Sequence, residues 1–155
     1  MTASAPLYRN AGIAVVNPSF ATAQVSLKLT GLDGTVRTSL VTIGPNSRLT
    51  QFVTRLFPEP VPPNFSGLLE LSSTSRVALA ALRMTVNERK EMIYSALPLA
   101  DLANPPKGEQ FLPYFVNGGG YKTEPMINNT SSQNASVSLT LLDGQGSPVD
   151  ARLFK

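Results

Sequence analysis

Six residues constrain this chain more than any others. Val25-Ser26-Leu27-Lys28-Leu29-Thr30 alternates apolar and polar without a break. Successive side chains of a strand point to opposite faces, so Val25, Leu27 and Leu29 share one face while Ser26, Lys28 and Thr30 share the other. A helix would spread the same residues around its circumference. Ser136-Val137-Ser138-Leu139-Thr140-Leu141 repeats the pattern. Asp33-Gly34 follows the first run and Asp143-Gly144-Gln145-Gly146 the second. An Asp-Gly pair after an alternating run is a hairpin signal.

Thirteen Pro and eleven Gly cut the remainder into short pieces rich in Val, Leu, Ile and Thr. The pattern predicts strands near 11–17, 24–31, 35–43, 67–73, 76–86, 91–97, 111–116, 121–128, 135–142 and 148–154. Short strands with turns at this spacing predict an all-β, antiparallel sandwich. One stretch reads differently. Ser47 is placed to cap a short helix near 48–57, with Leu49, Phe52, Val53 and Leu56 on one side and Pro58 stopping it. The prolines of Pro58-Glu59-Pro60-Val61-Pro62-Pro63 cannot donate to a ladder, so this stretch is expected to be an extended connector.

A second break, Leu102-Ala103-Asn104-Pro105-Pro106-Lys107-Gly108, predicts a first β-unit over 1–104 and a partial second repeat over 109–155. The parts share an order of strand, Asn-led turn, alternating strand, Gly turn and strand. Val15-Val16-Asn17-Pro18-Ser19 aligns with Met126-Ile127-Asn128-Asn129-Thr130, and Val25–Leu29 with Val137–Leu141. Two or three strands with one apolar face are not stable alone. Val137, Leu139, Leu141, Leu153 and Phe154 therefore need cover, from the first unit, from further chain, or from a neighbouring copy by strand addition.

Histidine and cysteine are both absent. This removes a Ser-His-Asp triad, thiolate nucleophiles and the commonest transition-metal ligands. Charged residues are only 15% of the chain, below the roughly 25% usual in soluble domains. Its polar surface must come from Ser, Thr, Asn and Gln. The net charge of +3 is spread along the chain rather than clustered, which argues against a nucleic-acid partner. No apolar run approaches the ~20 residues of a membrane span. Met1-Thr2-Ala3-Ser4-Ala5 lacks the basic and apolar regions of a signal peptide.

Several short motifs invite chemistry. Gly118-Gly119-Gly120 lacks the Lys and Ser spacing of a phosphate loop and reads as a turn needing positive φ. Glu70, Asp33, Asp101 and Asp143 are scattered rather than paired as a glycosidase requires. Asp143 or Asp150 with turn carbonyls could hold a hard cation, but the Asp-x-Asp-x-Asp-Gly pattern is missing. No catalytic residue, metal site or cofactor is expected. Asn87-Glu88-Arg89-Lys90-Glu91, the one dense charge cluster, lies between two apolar strands and reads as a hairpin tip.

The chain also resembles a known family. Gly12-Ile13-Ala14-Val15-Val16-Asn17-Pro18 is similar to the "GLAIANP" opening of a repeat found in large secreted or surface proteins of environmental bacteria. Phe65-Ser66-Gly67-Leu68-Leu69-Glu70-Leu71-Ser72-Ser73 has a counterpart there. Ala81-Leu82-Arg83-Met84-Thr85-Val86-Asn87-Glu88-Arg89 resembles its "GLRxRxNER" block. Phe115-Val116-Asn117-Gly118-Gly119-Gly120-Tyr121-Lys122-Thr123 resembles the "FxDGGGYxT" block that opens the next unit. Asn117 departs from the family's Asp, and Pro125 falls inside the following strand, which suggests an edge. The resemblance implies tandem immunoglobulin-like β-units in an extracellular or cell-surface setting, with no defined activity.

The expectation is therefore a non-catalytic structural or adhesive module that self-associates or meets neighbouring β-domains, assembling head-to-tail into a filament by strand addition. The alternative is a carbohydrate-binding module that takes surface glycans. The interface candidates are Asn87, Glu88, Arg89, Tyr121, Lys122, Val137, Leu139, Leu141 and Phe154.

Overall fold

Alternation in the sequence becomes two-faced strands in the fold. The computed structural model describes residues 8–62, 65–119, 121–123, 125–129 and 131–150. Among the described residues the regular structure is all-β apart from one 3-10 turn. The chain divides into two units, Met1–Leu99 and Ala100–Lys155.

The first unit holds seven strands: β1 (Tyr8–Asn17), β2 (Ala23–Gly31), β3 (Val36–Ile43), β4 (Ser47–Phe52), β5 (Gly67–Ser73), β6 (Ala78–Val86) and β7 (Met92–Ala96). They form two antiparallel sheets, ordered β4-β1-β6-β7 and β3-β2-β5. β2 shows the driving force most clearly. Val25, Leu27 and Leu29 are buried while Gln24, Ser26 and Lys28 are exposed. Ile13 and Val15 of β1 meet them from the other sheet, and Ile43 of β3 joins from their own. Two inner faces enclosing one core is the arrangement of a β-sandwich. Each such side chain contributes roughly 1.5–3 kcal/mol by leaving water.

The helix expected over 48–57 is not there. Ser47–Phe52 is a strand laddered to β1, with Gly12 opposite Phe52 and Asn17 opposite Ser47. The Ser47 hydroxyl donates to the Pro45 carbonyl at 3.0 Å rather than capping a helix. Only Val53–Arg55 form a 3-10 turn. The helical spacing of apolar residues has another cause. Leu49 faces inward from β4, and Val53, Leu56 and Phe57 then fold over the core as a plug.

Asn17 closes one end of the sandwich. It is fully buried at the end of β1. Its Nδ2 donates to the carbonyls of Ala21 (2.7 Å), Ile43 (3.1 Å) and Gly44 (2.9 Å). Its Oδ1 accepts from the Ser19 amide (3.1 Å) and hydroxyl (2.7 Å). The two corners it joins, β1–β2 and β3–β4, both carry the chain from one sheet to the other. At the opposite end the Phe65 ring lies beside the paired Gly31 and Gly67.

Among the described residues of the second unit, regular structure is sparse. β8 (Asn117–Gly118) pairs with β9 (Tyr121–Lys122) around the glycine turn, with Gly118 and Gly119 at positive φ. An isolated bridge joins Leu142 to Pro148. Strands expected at 111–116 and 135–142 do not form, and that at 121–128 shrinks to two residues. Residues 148–150 contribute only the bridge, and 151–154 lie outside the described residues. Alternation makes a strand possible, but a ladder needs a partner edge.

Candidate interaction face

The two sheets differ in what they show to solvent. Ser26, Lys28 and Thr38 lie on the outer face of the three-stranded sheet, together with the exposed Val36 and Leu40. There Lys28 Nζ meets Glu70 Oε2 at 2.9 Å, a surface pair worth at most about 1 kcal/mol. This face is mixed, ion-paired at its centre with Val36 and Leu40 along the β3 side.

The four-stranded sheet is apolar over the core on one side and over most of its outer side on the other, with Arg9 and Arg83 toward the inner side of the β6–β7 end. Its inner face carries Ala11, Ile13, Val15, Leu79 and Ala81 against the core. Its outer face can be read row by row from the register. Phe52, Gly12, Leu82 and Ala96 lie side by side across β4, β1, β6 and β7. Asn10, Met84 and Tyr94 form the next row, then Tyr8, Val86 and Met92. In the other direction come Thr50, Ala14 and Ala80, then Arg48, Val16 and Ala78. Arg48 is the one charged residue in these five rows. Leu82 is 48% exposed, Tyr94 56% and Met92 64%.

Local causes shape the face. Gly12 leaves room at its centre, and the Phe52 ring approaches to 3.6 Å of where a Gly12 Cβ would stand. Asn10 is satisfied locally, donating to the Tyr8 hydroxyl at 2.8 Å and to Thr54 Oγ1 at 3.3 Å. At ~4.8 Å between strands and ~3.4 Å per residue the face measures on the order of 400 Å². That falls among the largest apolar patches of ordinary monomers, which are often functional.

The face runs to an open edge. β7 contains no Pro, Lys or other charged residue, the usual guards of an edge strand. Asn87 and Glu91 form a hydrogen-bonded pair, and Leu97 N donates to Ala81 O. Counting in twos between them, Met92, Tyr94 and Ala96 are the residues whose amides turn away from β6. These three also carry their side chains on the outer face.

The residues singled out from sequence are dispersed. Asn87 lies in the β6–β7 turn. Asn87 Nδ2 donates to Glu91 Oε2 (2.6 Å), and Glu91 N donates to Asn87 Oδ1 (2.9 Å). Lys90, at φ 62°, donates its amide to the Asn87 carbonyl. Arg89 pairs with Glu91 at 3.0 Å in the open, and Glu88 is exposed. The cluster thus holds its own turn. Tyr121 and Lys122 form β9 in the second unit. Val137 and Leu139 there are exposed and Leu141 is half-buried. Phe154 lies outside the described residues.

The apolar outer face was missed. Its signal was present: Ala78-Leu79-Ala80-Ala81-Leu82 and Met92-Ile93-Tyr94 do not alternate, and a strand apolar on both faces expects cover on both.

Two carboxyl groups are held below their ordinary range, both by turn hydrogen bonds. The Thr35 amide and hydroxyl do this for Asp33, and the Asn104 side chain with the Ala103 amide for Asp101. Among the described residues no cluster of three or more Asp and Glu is placed to hold a metal ion, and no helix is long and apolar enough to cross a membrane. No protein-family model, curated protein or solved structure matches the chain.

Proposed function

We propose that this chain is a non-catalytic structural or adhesive β-sandwich module of immunoglobulin-like kind, working outside the cell. It associates with copies of itself or with neighbouring β-domains through the outer face of the four-stranded sheet and the β7 edge. The observation that carries this reading is the outer face of the four-stranded sheet, apolar apart from Asn10, Thr50 and Arg48 and continuous with an unguarded edge, whereas the outer face of the three-stranded sheet mixes an ion pair and hydroxyls with Val36 and Leu40. Seven antiparallel strands divided four and three match the immunoglobulin count. The connections differ, because β1 crosses to the other sheet instead of returning in a hairpin.

The face is about half of the ~800 Å² that each partner of a stable complex contributes. It therefore suits many weak contacts in a row, and strand addition at β7 extends it with backbone hydrogen bonds. Sedimentation of the purified chain across a wide concentration range tests this. Reversible association abolished by Leu82→Lys, with unchanged far-UV circular dichroism, is expected. A monomer at every concentration overturns self-association. Binding to immobilised glycans by that same monomer selects the carbohydrate-binding alternative.

A further inference from the structure

Two turns of the second unit reproduce hydrogen bonds of the first at a constant spacing of 112 residues. Asn129 Nδ2 donates to the Gln133 carbonyl at 2.7 Å, as Asn17 Nδ2 does to Ala21. Ser131 gives its amide (3.0 Å) and hydroxyl (2.8 Å) to Asn129 Oδ1, as Ser19 does to Asn17. The Ser131 hydroxyl is also close to the Gln133 carbonyl (3.0 Å) and amide (3.3 Å), as that of Ser19 is to Ala21.

The following turn repeats too. Gly31 N donates to Thr35 O at 2.8 Å and Asp143 N to Ser147 O at 2.9 Å. Gly34 N donates to Gly31 O and Gly146 N to Asp143 O, both at 3.0 Å, with φ of 81° and 83° at the two glycines. The Leu142–Pro148 bridge is the counterpart of the Thr30–Val36 pair. Asp33 Oδ1 accepts the Thr35 amide, and Asp143 Oδ1 accepts that of Ser147. The two carboxylates sit at different sequence positions, yet Asp33 Oδ1 lies against the point where a side chain on Gly31, the counterpart of Asp143, would begin. One register thus accounts for every match. It moves the Asn-led turn by one residue from the sequence alignment, pairing Asn17 with Asn129 rather than Asn128.

The core face does not repeat. Val25 and Leu27 are 0% and 1% exposed, whereas Val137 and Leu139 are 58% and 69% exposed. Val15 is 0% exposed, and its counterpart Ile127 is 54%. In the first unit these residues are covered by β5 and β6 and by the Val53–Phe57 plug. We propose that residues 125–129 and 131–150 carry the pattern of the opening strands of a second unit, and that their apolar face takes a β-half-unit with the strand order and inward face of residues 44–96. The first unit shows both surfaces of that contact. A second copy of the whole chain is a poor occupant, because its own β4 and β6 are already paired with its β1 and its β5 with its β2.

The test is a fused chain in which a copy of residues 44–99 follows Lys155, the residue that the register matches to Ile43. The readout is amide hydrogen exchange over 135–142. Slowing on the order of a hundredfold relative to the parent chain is expected, as for amides released only when a folded unit opens. Leu139→Asp in the fused chain should abolish that slowing and leave 8–96 protected. Equal exchange over 135–142 in fused and parent chains overturns the proposal. So does a parent-chain dimer that Leu139→Asp disperses, which would make a second copy the occupant. The readout over 135–142 and the Leu139→Asp arm leave the chain's own Leu82 and β7 unchanged, and Leu82→Lys placed in both copies of the fused chain removes self-association without touching that readout, so the two results are distinguishable.

Discussion

At the scale of single residues, buried hydrogen bonding and close backbone approach decide what the sandwich tolerates. Asn17→Ala strands the carbonyls of Ala21, Ile43 and Gly44, and a buried group left unsatisfied costs about 1–3 kcal/mol. A loss of roughly 2–4 kcal/mol is expected by urea denaturation. Asn17→Asp should be worse at neutral pH, because a carboxylate would face three carbonyl oxygens with nothing to donate. The glycines make a sharper contrast. A Cβ on Gly67 would collide with the Thr30 carbonyl and come within 2.8 Å of the Phe65 ring, so Gly67→Ala should cost about 1–3 kcal/mol. At Gly12 the nearest atoms are 3.5–3.6 Å away, ordinary contact, and Gly12→Ala should be near neutral. Equal losses at the two sites would refute this packing account. Asp33 sets a pH dependence. Its folded-state pKa is depressed, first by the Thr35 amide. Its contribution is therefore fully present above the ordinary Asp range and lost as the pH falls through the lower folded value. Asp33→Asn should flatten the acid limb of a stability–pH curve slightly, since the group is solvent-exposed; an unchanged limb would remove the carboxylate from the explanation.

At the scale of elements, legibility in the sequence tracked local pattern and failed where a partner decides the outcome. β2, β3 and β5 were readable almost to the residue, because alternation and the Asp33-Gly34 turn specify both face and register. β4 was misread because Leu49, Phe52, Val53 and Leu56 fit a helix face as well as a strand running into a plug. The ladder to β1 chose between them, and a ladder is a long-range fact. The Asn87–Glu91 hairpin was visible as a charge cluster, whereas the apolar outer face needed the pairing of β1, β6 and β7 to assemble it. Identical patterns then led to different structures in Val25–Leu29 and Val137–Leu141. Leu27→Ala should cost about 2–5 kcal/mol, as for other buried leucines, while Leu139→Ala in the same chain should stay within about 0.5 kcal/mol. A large loss at Leu139 would mean that its face is covered in the chain as it stands. For β7, Ala96→Pro removes an amide that points away from β6, so it should leave the β6–β7 ladder intact and weaken self-association. If it does not, strand addition at this edge is wrong and the face alone carries the contact.

At the scale of the whole molecule, the two units should separate in their resistance to local opening. A protease needs an exposed, extended segment, and cleavage reports the free energy of exposing it. In the first unit the basic residues sit on paired strands or in short turns. Arg89 and Lys90, at the most prominent tip, lie within a turn closed by the reciprocal bonds of Asn87 and Glu91. Lys107 is different. It is exposed, lies in a stretch with no strand between Ala96 and Asn117, and precedes Gly108 at φ 76°. Among the sites from Arg9 to Lys107, brief trypsin treatment should therefore cut first after Lys107. All seven strands of the first unit and the Asn17 and Phe65 closures lie before that point, so the amino-terminal product should keep its β-sheet circular dichroism and the parent's first unfolding midpoint. A first cut at Arg89 or Lys90 would show that the β6–β7 hairpin opens more readily than its hydrogen bonds imply. A product that unfolds on cleavage would show that the core enclosed by Val15, Leu27 and Phe57 does not stand alone, and that the second unit contributes to it.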